Sequence, residues 1–123
     1  DYIKYAYYDV ACEYLRQNMF NVEKHSNALK DVVWSRAVQY GTGEIVNMFN
    51  DALKLMEKAL DIELPNLSYI DDKRFDYDLI AGIYDTCMSY EWNNSVLRDS
   101  LNNRFMDEKM KALKMLMEEV EGA

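Results

Sequence analysis

The stretch Ala28–Gly43, A-L-K-D-V-V-W-S-R-A-V-Q-Y-G-T-G, constrains the fold more than any other. At about 100° per residue its apolar side chains do not gather into one stripe. Leu29, Val33 and Tyr40 point one way, Val32 lies to one side of them, and Trp34 and Val38 point the other. A helix that is hydrophobic nearly all round belongs in the middle of a domain. One narrow polar line interrupts it, because Asp31, Ser35 and Gln39 stand at i, i+4 and i+8 and stack on a single face. A central helix carrying one such line reads as the wall of a cleft. Ser26 is placed to cap its start and Gly41 to close its end, giving a helix over 26–40.

The rest of the chain is short of helix breakers. Among 123 residues there are 1 Pro and 4 Gly, and half the residues are hydrophobic. This predicts an all-α fold, a compact bundle of about five or six helices around the central one, forming a single domain. The net charge of −8 argues against a nucleic-acid backbone or an anionic membrane as partner. No apolar run approaches the ~20 residues a membrane span needs. Cys12 and Cys87 stand in no metal spacing and are expected as buried free thiols. Asp1 already sits in helical pattern, so the chain reads as cut from something longer.

Residues 1–17 read as a helix whose broad apolar face holds Ile3, Tyr7, Val10, Ala11, Tyr14 and Leu15, with Lys4 snorkelling from it. Thr42 is expected to cap a third helix over 43–60, with Ile45, Val46, Phe49, Ala52, Leu53, Met56 and Leu60 inward. Leu64-Pro65-Asn66 ends it, and the polar run to Arg74 reads as a surface loop. A fourth helix begins at Asp76 and buries Leu79, Ile80, Ile83, Tyr84 and Cys87, with Gly82 marking close backbone packing. After a turn at Trp92-Asn93-Asn94, Ser95 is a candidate cap for a short helix to Leu101 that leads into, or is continuous with, a long helix over 103–120. The long helix is expected to bury Phe105, Met106, Met110, Leu113, Leu116, Met117 and Val120, its methionines filling gaps in the core.

Few catalytic chemistries fit these residues. His25 is the only histidine and falls in a connection, where a solvated or capping-neighbour role suits it and a metal site does not. The acids Asp71, Asp72, Asp76 and Asp78 lack the Gly and distal Glu of a calcium loop. No nucleophile–histidine motif and no phosphate-cradling glycine loop occurs, and no cofactor is expected. Carbohydrate chemistry survives best, since sugar clefts combine aromatics with short polar side chains. Tyr8, Asp9, Trp34, Ser35, Gln39 and Tyr40 offer that mixture, although no Asp/Glu pair declares itself catalytic.

The central stretch resembles the A-L-x-x-V-x-W-S-T-A-V-Q-H-G-x-G-G signature of a chitosanase-like, lysozyme-superfamily peptidoglycan hydrolase domain. That domain occurs in phage tail and endolysin-like proteins and on type VI secretion spikes. Tyr8-Asp9-Val10-Ala11, Leu79 to Tyr84, and Arg98 to Phe105 with Glu108 resemble its flanking segments in order. The resemblance implies the C-terminal helical part of a glycoside hydrolase that degrades cell-wall peptidoglycan or a chitosan-like glycan. Its acid/base carboxylates would lie in a preceding segment near an S-Y-G-x-x-Q motif, and the catalytic residues here stay unknown. Tyr8, Asp9, Trp34, Ser35, Gln39 and Tyr40 then become substrate-binding residues, and Asp85, Arg98 and Arg104 structural ion-pair partners. The expected partners are peptidoglycan and the missing N-terminal segment; the expected setting is a phage-encoded cytoplasmic protein or one delivered to the cell wall. The rival reading is a non-enzymatic helical interaction or assembly module.

Overall fold

A computed structural model describes the backbone of residues 2–122 and the side chains of residues 6–122. The expectations for Asp1 and for the side chains of Ile3 and Lys4 lie outside the described residues. The architecture is an all-α bundle of five helices, with no strand among the described residues: α1 (Tyr2–Gln17), α2 (Asn27–Tyr40), α3 (Ile45–Leu60), α4 (Asp76–Met88) and α5 (Arg98–Gly122). Short 3-10 turns fill the connections. Helix α2 touches each of the other four helices, so it is the centre of the bundle.

Both ends of α2 form as its sequence dictates. Ser26 Oγ accepts the Leu29 N–H at 3.1 Å, and Gly41, at φ 92°, donates its N–H to Ala37 O at 2.9 Å. Only glycine adopts that φ without strain. A second cap comes from far along the chain. The Glu119 carboxylate, near the end of α5, accepts the N–H groups of Asn27 and Ala28 at 2.9 and 3.0 Å. It satisfies two of the orphan donors of the α2 start and sits at the positive end of its dipole.

The packing of α3 on α4 follows the expected stripes. Ile45, Phe49, Ala52, Leu53 and Met56 are buried against Leu79, Ile80, Ile83, Tyr84 and Cys87; Met48 joins them, while Val46 and Leu60 are half-buried. A Cβ on Gly82 would stand 3.2 Å from Ala52 O, so the bare glycine backbone lets the two helices meet closely. Thr42 does not cap α3. It opens a 3-10 turn, Thr42–Glu44, that carries no side-chain cap bond.

Two expectations fail because apolar residues outnumber the positions each element buries, and a third fails in the opposite sense. On α1, Ala11 and Leu15 are fully buried, but Tyr7, Val10 and Tyr14 are each about 40% exposed, because only one edge of this helix meets the bundle. On α5, one continuous helix of 25 residues, Phe105, Leu113 and Leu116 pack inward. Met106, Met110, Met117 and Val120 remain between 46% and 60% exposed, so these methionines are surface rather than core filling. Between Leu60 and Asp76 the surplus runs the other way. Leu64 is buried ahead of a 3-10 turn, Leu67–Ile70, that buries Leu67 and Ile70 and is capped by Asn66; a second turn, Lys73–Phe75, is capped by Asp72. That segment is a stitched flap of the core and not a free surface loop.

Candidate functional site

The polar line of α2 meets α5 across a cavity of about 370 Å³. Asp31 and Ser35 line it from α2, with Trp34 beside them; Tyr84 comes from α4, and Glu108, Lys111 and Ala112 come from α5. Gln39 and Tyr40, one turn further on, line a second hollow of about 250 Å³ with Trp92, Asn93 and Phe105. Tyr40 and Trp92 meet there edge to face at 5.7 Å. Tyr8 and Asp9 are elsewhere. Tyr8 donates to Glu23 Oε1 at 3.4 Å, and exposed Asp9 lines a hollow with Cys12 and Arg16. The six residues grouped by sequence therefore occupy three places, of which Trp34 and Ser35 share one and Gln39 and Tyr40 share another.

Arg36 joins the two α2 hollows. Its side chain is only 1% exposed. Nη2 donates to Gln39 Oε1 at 3.0 Å and to Glu108 Oε1 at 3.3 Å, and Nε donates to Ser35 Oγ at 3.2 Å. The guanidinium also lies within 6 Å of the rings of Tyr40, Tyr84 and Phe105, a position in which ring quadrupoles stabilise a cation. Burial raises the Tyr40 and Tyr84 hydroxyls and the Cys87 thiol above their ordinary values, and the nearby Arg36 offsets this only in part. All three stay protonated near neutral pH. Burial likewise pushes the Cys12 thiol up to about 11, so neither free cysteine is an activated nucleophile.

Glu108 is the carboxylate drawn into the cavity wall. Its Oε2 is shielded from solvent and accepts no hydrogen bond, with Arg104 Nε 3.8 Å away. Of the expected ion-pair residues, Asp85 pairs with Lys109 at 2.8 Å and Arg104 pairs with Glu108. Arg98 instead donates to the Met88 carbonyl at 2.9 Å.

The residue that sequence reasoning misplaced most is His25. It is not solvated: its ring is buried, stacked on Phe20 with centroids 4.4 Å apart, and clamped by Asp76 at 2.6 Å through Nδ1 and Asp71 at 2.7 Å through Nε2. Asp76 Oδ2 also accepts the Ser26 N–H at 2.8 Å, and Lys24 reaches Asp71 at 3.2 Å. Burial pushes the His25 pKa down, but its hydrogen bonds to Asp76 and Asp71 outweigh this and hold it above the ordinary histidine value. The partners lie 46 and 51 residues away in sequence, so no local signal announces them. No group of three or more metal-ligating side chains occurs among the described residues, and none of their helices is long and apolar enough to cross a membrane.

The model of the family "Type VI secretion system spike protein VgrG3-like, C-terminal" matches residues 1–109. The chain belongs to that family. No curated protein and no solved structure matches it. The VgrG3-like C-terminal assignment corrects the resemblance drawn from the W-S-R-A-V-Q-Y-G segment: the match is to a spike-protein domain, not to a chitosanase-like peptidoglycan hydrolase. The glycosidase, cell-wall-degrading, lysozyme-like, endolysin and phage readings go with it, and a peptidoglycan partner is left without support.

Proposed function

We propose that this VgrG3-like C-terminal domain is a non-enzymatic helical interaction and assembly module, a single helical unit that docks other proteins of the secretion spike. The observation that carries the reading is the exposed apolar row Met106, Met110, Met117 and Val120 on α5, in a domain whose family is a spike protein. Contiguous exposed apolar surface marks interaction sites, and methionine rows adapt to partners of different shape. The row Tyr7, Val10 and Tyr14 on α1 offers a second such face.

The test is co-purification. Met110→Lys with Met117→Lys, carried in the intact spike protein, places two charges on surface positions that the bundle core does not need. Loss of co-purifying spike proteins, with unchanged helical circular dichroism, supports the module. An unchanged set of partners removes the α5 face from it.

A further inference from the structure

We infer that the hollow between the end of α2 and the connection 89–97 is a subsite for an uncharged carboxamide, the side chain of a glutamine or asparagine on a docking segment; this rests on the assembly reading and names the chemistry of one contact within it. The first argument is an open acceptor. Asn93 is only 5% exposed and lines the hollow. Its Nδ2 donates to Arg98 O at 3.2 Å and to Asn102 Oδ1 at 2.8 Å, and neither of those residues belongs to the lining. The oxygen of the same amide accepts no hydrogen bond among the described residues, yet it is not sealed from solvent as Glu108 Oε2 is. The hollow therefore meets Asn93 as an acceptor that lacks a donor, and a buried polar side chain left so calls for a partner.

The second argument is a donor in the same lining. Gln39 shares the hollow, and its Oε1 is taken by Arg36 Nη2 at 3.0 Å, which leaves its Nε2 hydrogens to offer. A carboxamide is a small group that supplies a donor and an acceptor from one plane. The third argument is charge and shape. No charged side chain lines the hollow among the described residues, in a chain of which 29% is charged. Arg36 lies behind the wall, 5.7 Å from the Tyr40 ring centre, and disfavours a cation; the net charge of −8 disfavours an anion. Tyr40, Trp92 and Phe105 supply the rings against which a flat amide and its aliphatic stem pack. A volume of about 250 Å³ falls below the ~300–1,000 Å³ of sites for drug-sized ligands and suits a single side chain. Directly after Ser95 of the lining, Val96 is fully exposed and Leu97 mostly so, an apolar rim for the segment that carries the amide.

The experiment is an NMR titration of the 123-residue chain with N-acetyl-glutamine methylamide, using the norleucine and glutamate analogues as apolar and charged controls. Saturable shifts are expected at the Trp92 indole N–H and at the side-chain amides of Gln39 and Asn93. The norleucine analogue should bind about tenfold more weakly, a difference of about 1.4 kcal/mol, and the glutamate analogue no better than norleucine. Asn93→Ala also strips the connection of two hydrogen bonds, so the deciding variant is Gln39→Met at an exposed position. It should weaken the glutamine probe several-fold, leave the norleucine probe unchanged and keep the spectrum in place outside its immediate neighbours. Equal binding of the glutamine and norleucine analogues overturns the proposal. So does tighter binding of glutamate, the absence of a saturable shift at Trp92, or a Gln39→Met chain that binds the glutamine probe like the wild type. The probe acts without any partner protein, so its failure leaves the assembly reading to the separate co-purification result.

Discussion

Two buried positive groups, His25 and Arg36, are held in opposite ways. His25 sits between two carboxylates at 2.6 and 2.7 Å that come from distant parts of the chain, and a second oxygen of Asp76 is used up on the Ser26 amide. Nothing in that cluster is left to bond. Arg36 has one carboxylate at 3.3 Å and draws the rest of its support from an amide, a hydroxyl and aromatic rings. Its carboxylate partner keeps one oxygen unbonded. The saturated cluster pins the start of α2 to the start of α4, which is a structural task. The other lies beside both α2 hollows, held by one carboxylate and the rings around it.

The contrast breaks most directly at Asp76. Asp76→Ala removes one of two charges on a buried cation and orphans the Ser26 amide, so a loss of about 3–5 kcal/mol is expected in urea unfolding. A loss below about 1 kcal/mol would mean that the clasp is not structural. Arg36→Met is the matching change at the other cation. The replacement is apolar and of similar length, and Glu108, 27% exposed, can turn to Arg104 or water. The expected cost is no more than about 1–2 kcal/mol. A cost equal to that of Asp76→Ala would erase the distinction between the two clusters.

The smallest effect is a pH dependence. Both ring nitrogens of His25 face carboxylates, an arrangement in which both donate and the ring carries charge. Its pKa in the folded state is raised, so its contribution to stability is fully present below the unfolded histidine value of about 6.5. That contribution fades as pH rises through the folded value. Melting temperatures of wild type and His25→Gln should therefore converge on the alkaline side and diverge on the acid side. An unchanged gap from pH 5.5 to 9 would refute a charged His25.

How much of this was readable in advance depends on how far a residue's partners lie from it. Ser26, Gly41 and Gly82 act through neighbours that a helical pattern or a short-range rule anticipates, and the α3 and α4 stripes have a clean period that fixes their faces. Period fails on α1 and α5, where tyrosines and methionines spread around the helix and the pattern cannot tell which side meets the bundle. It fails between Leu60 and Asp76 because Leu67 and Ile70 stand three residues apart in a 3-10 turn, with Leu64 before them, inside a polar run. Arg36 escaped notice because a charged residue is read as surface unless its partner is known, and Glu108 is 72 residues away. The polar line Asp31–Ser35 did lead to a concave site, while the functional meaning taken from its motif had to give way to the spike-protein family.

The reach of Glu119 back to Asn27 and Ala28 bears on where the folding unit stops. A boundary drawn at residue 109, where the family match ends, would discard Leu113, Leu116 and that carboxylate together. The central helix would lose its lid and its opening turn would fray, so any minimal version of this domain has to carry its tail through at least residue 119.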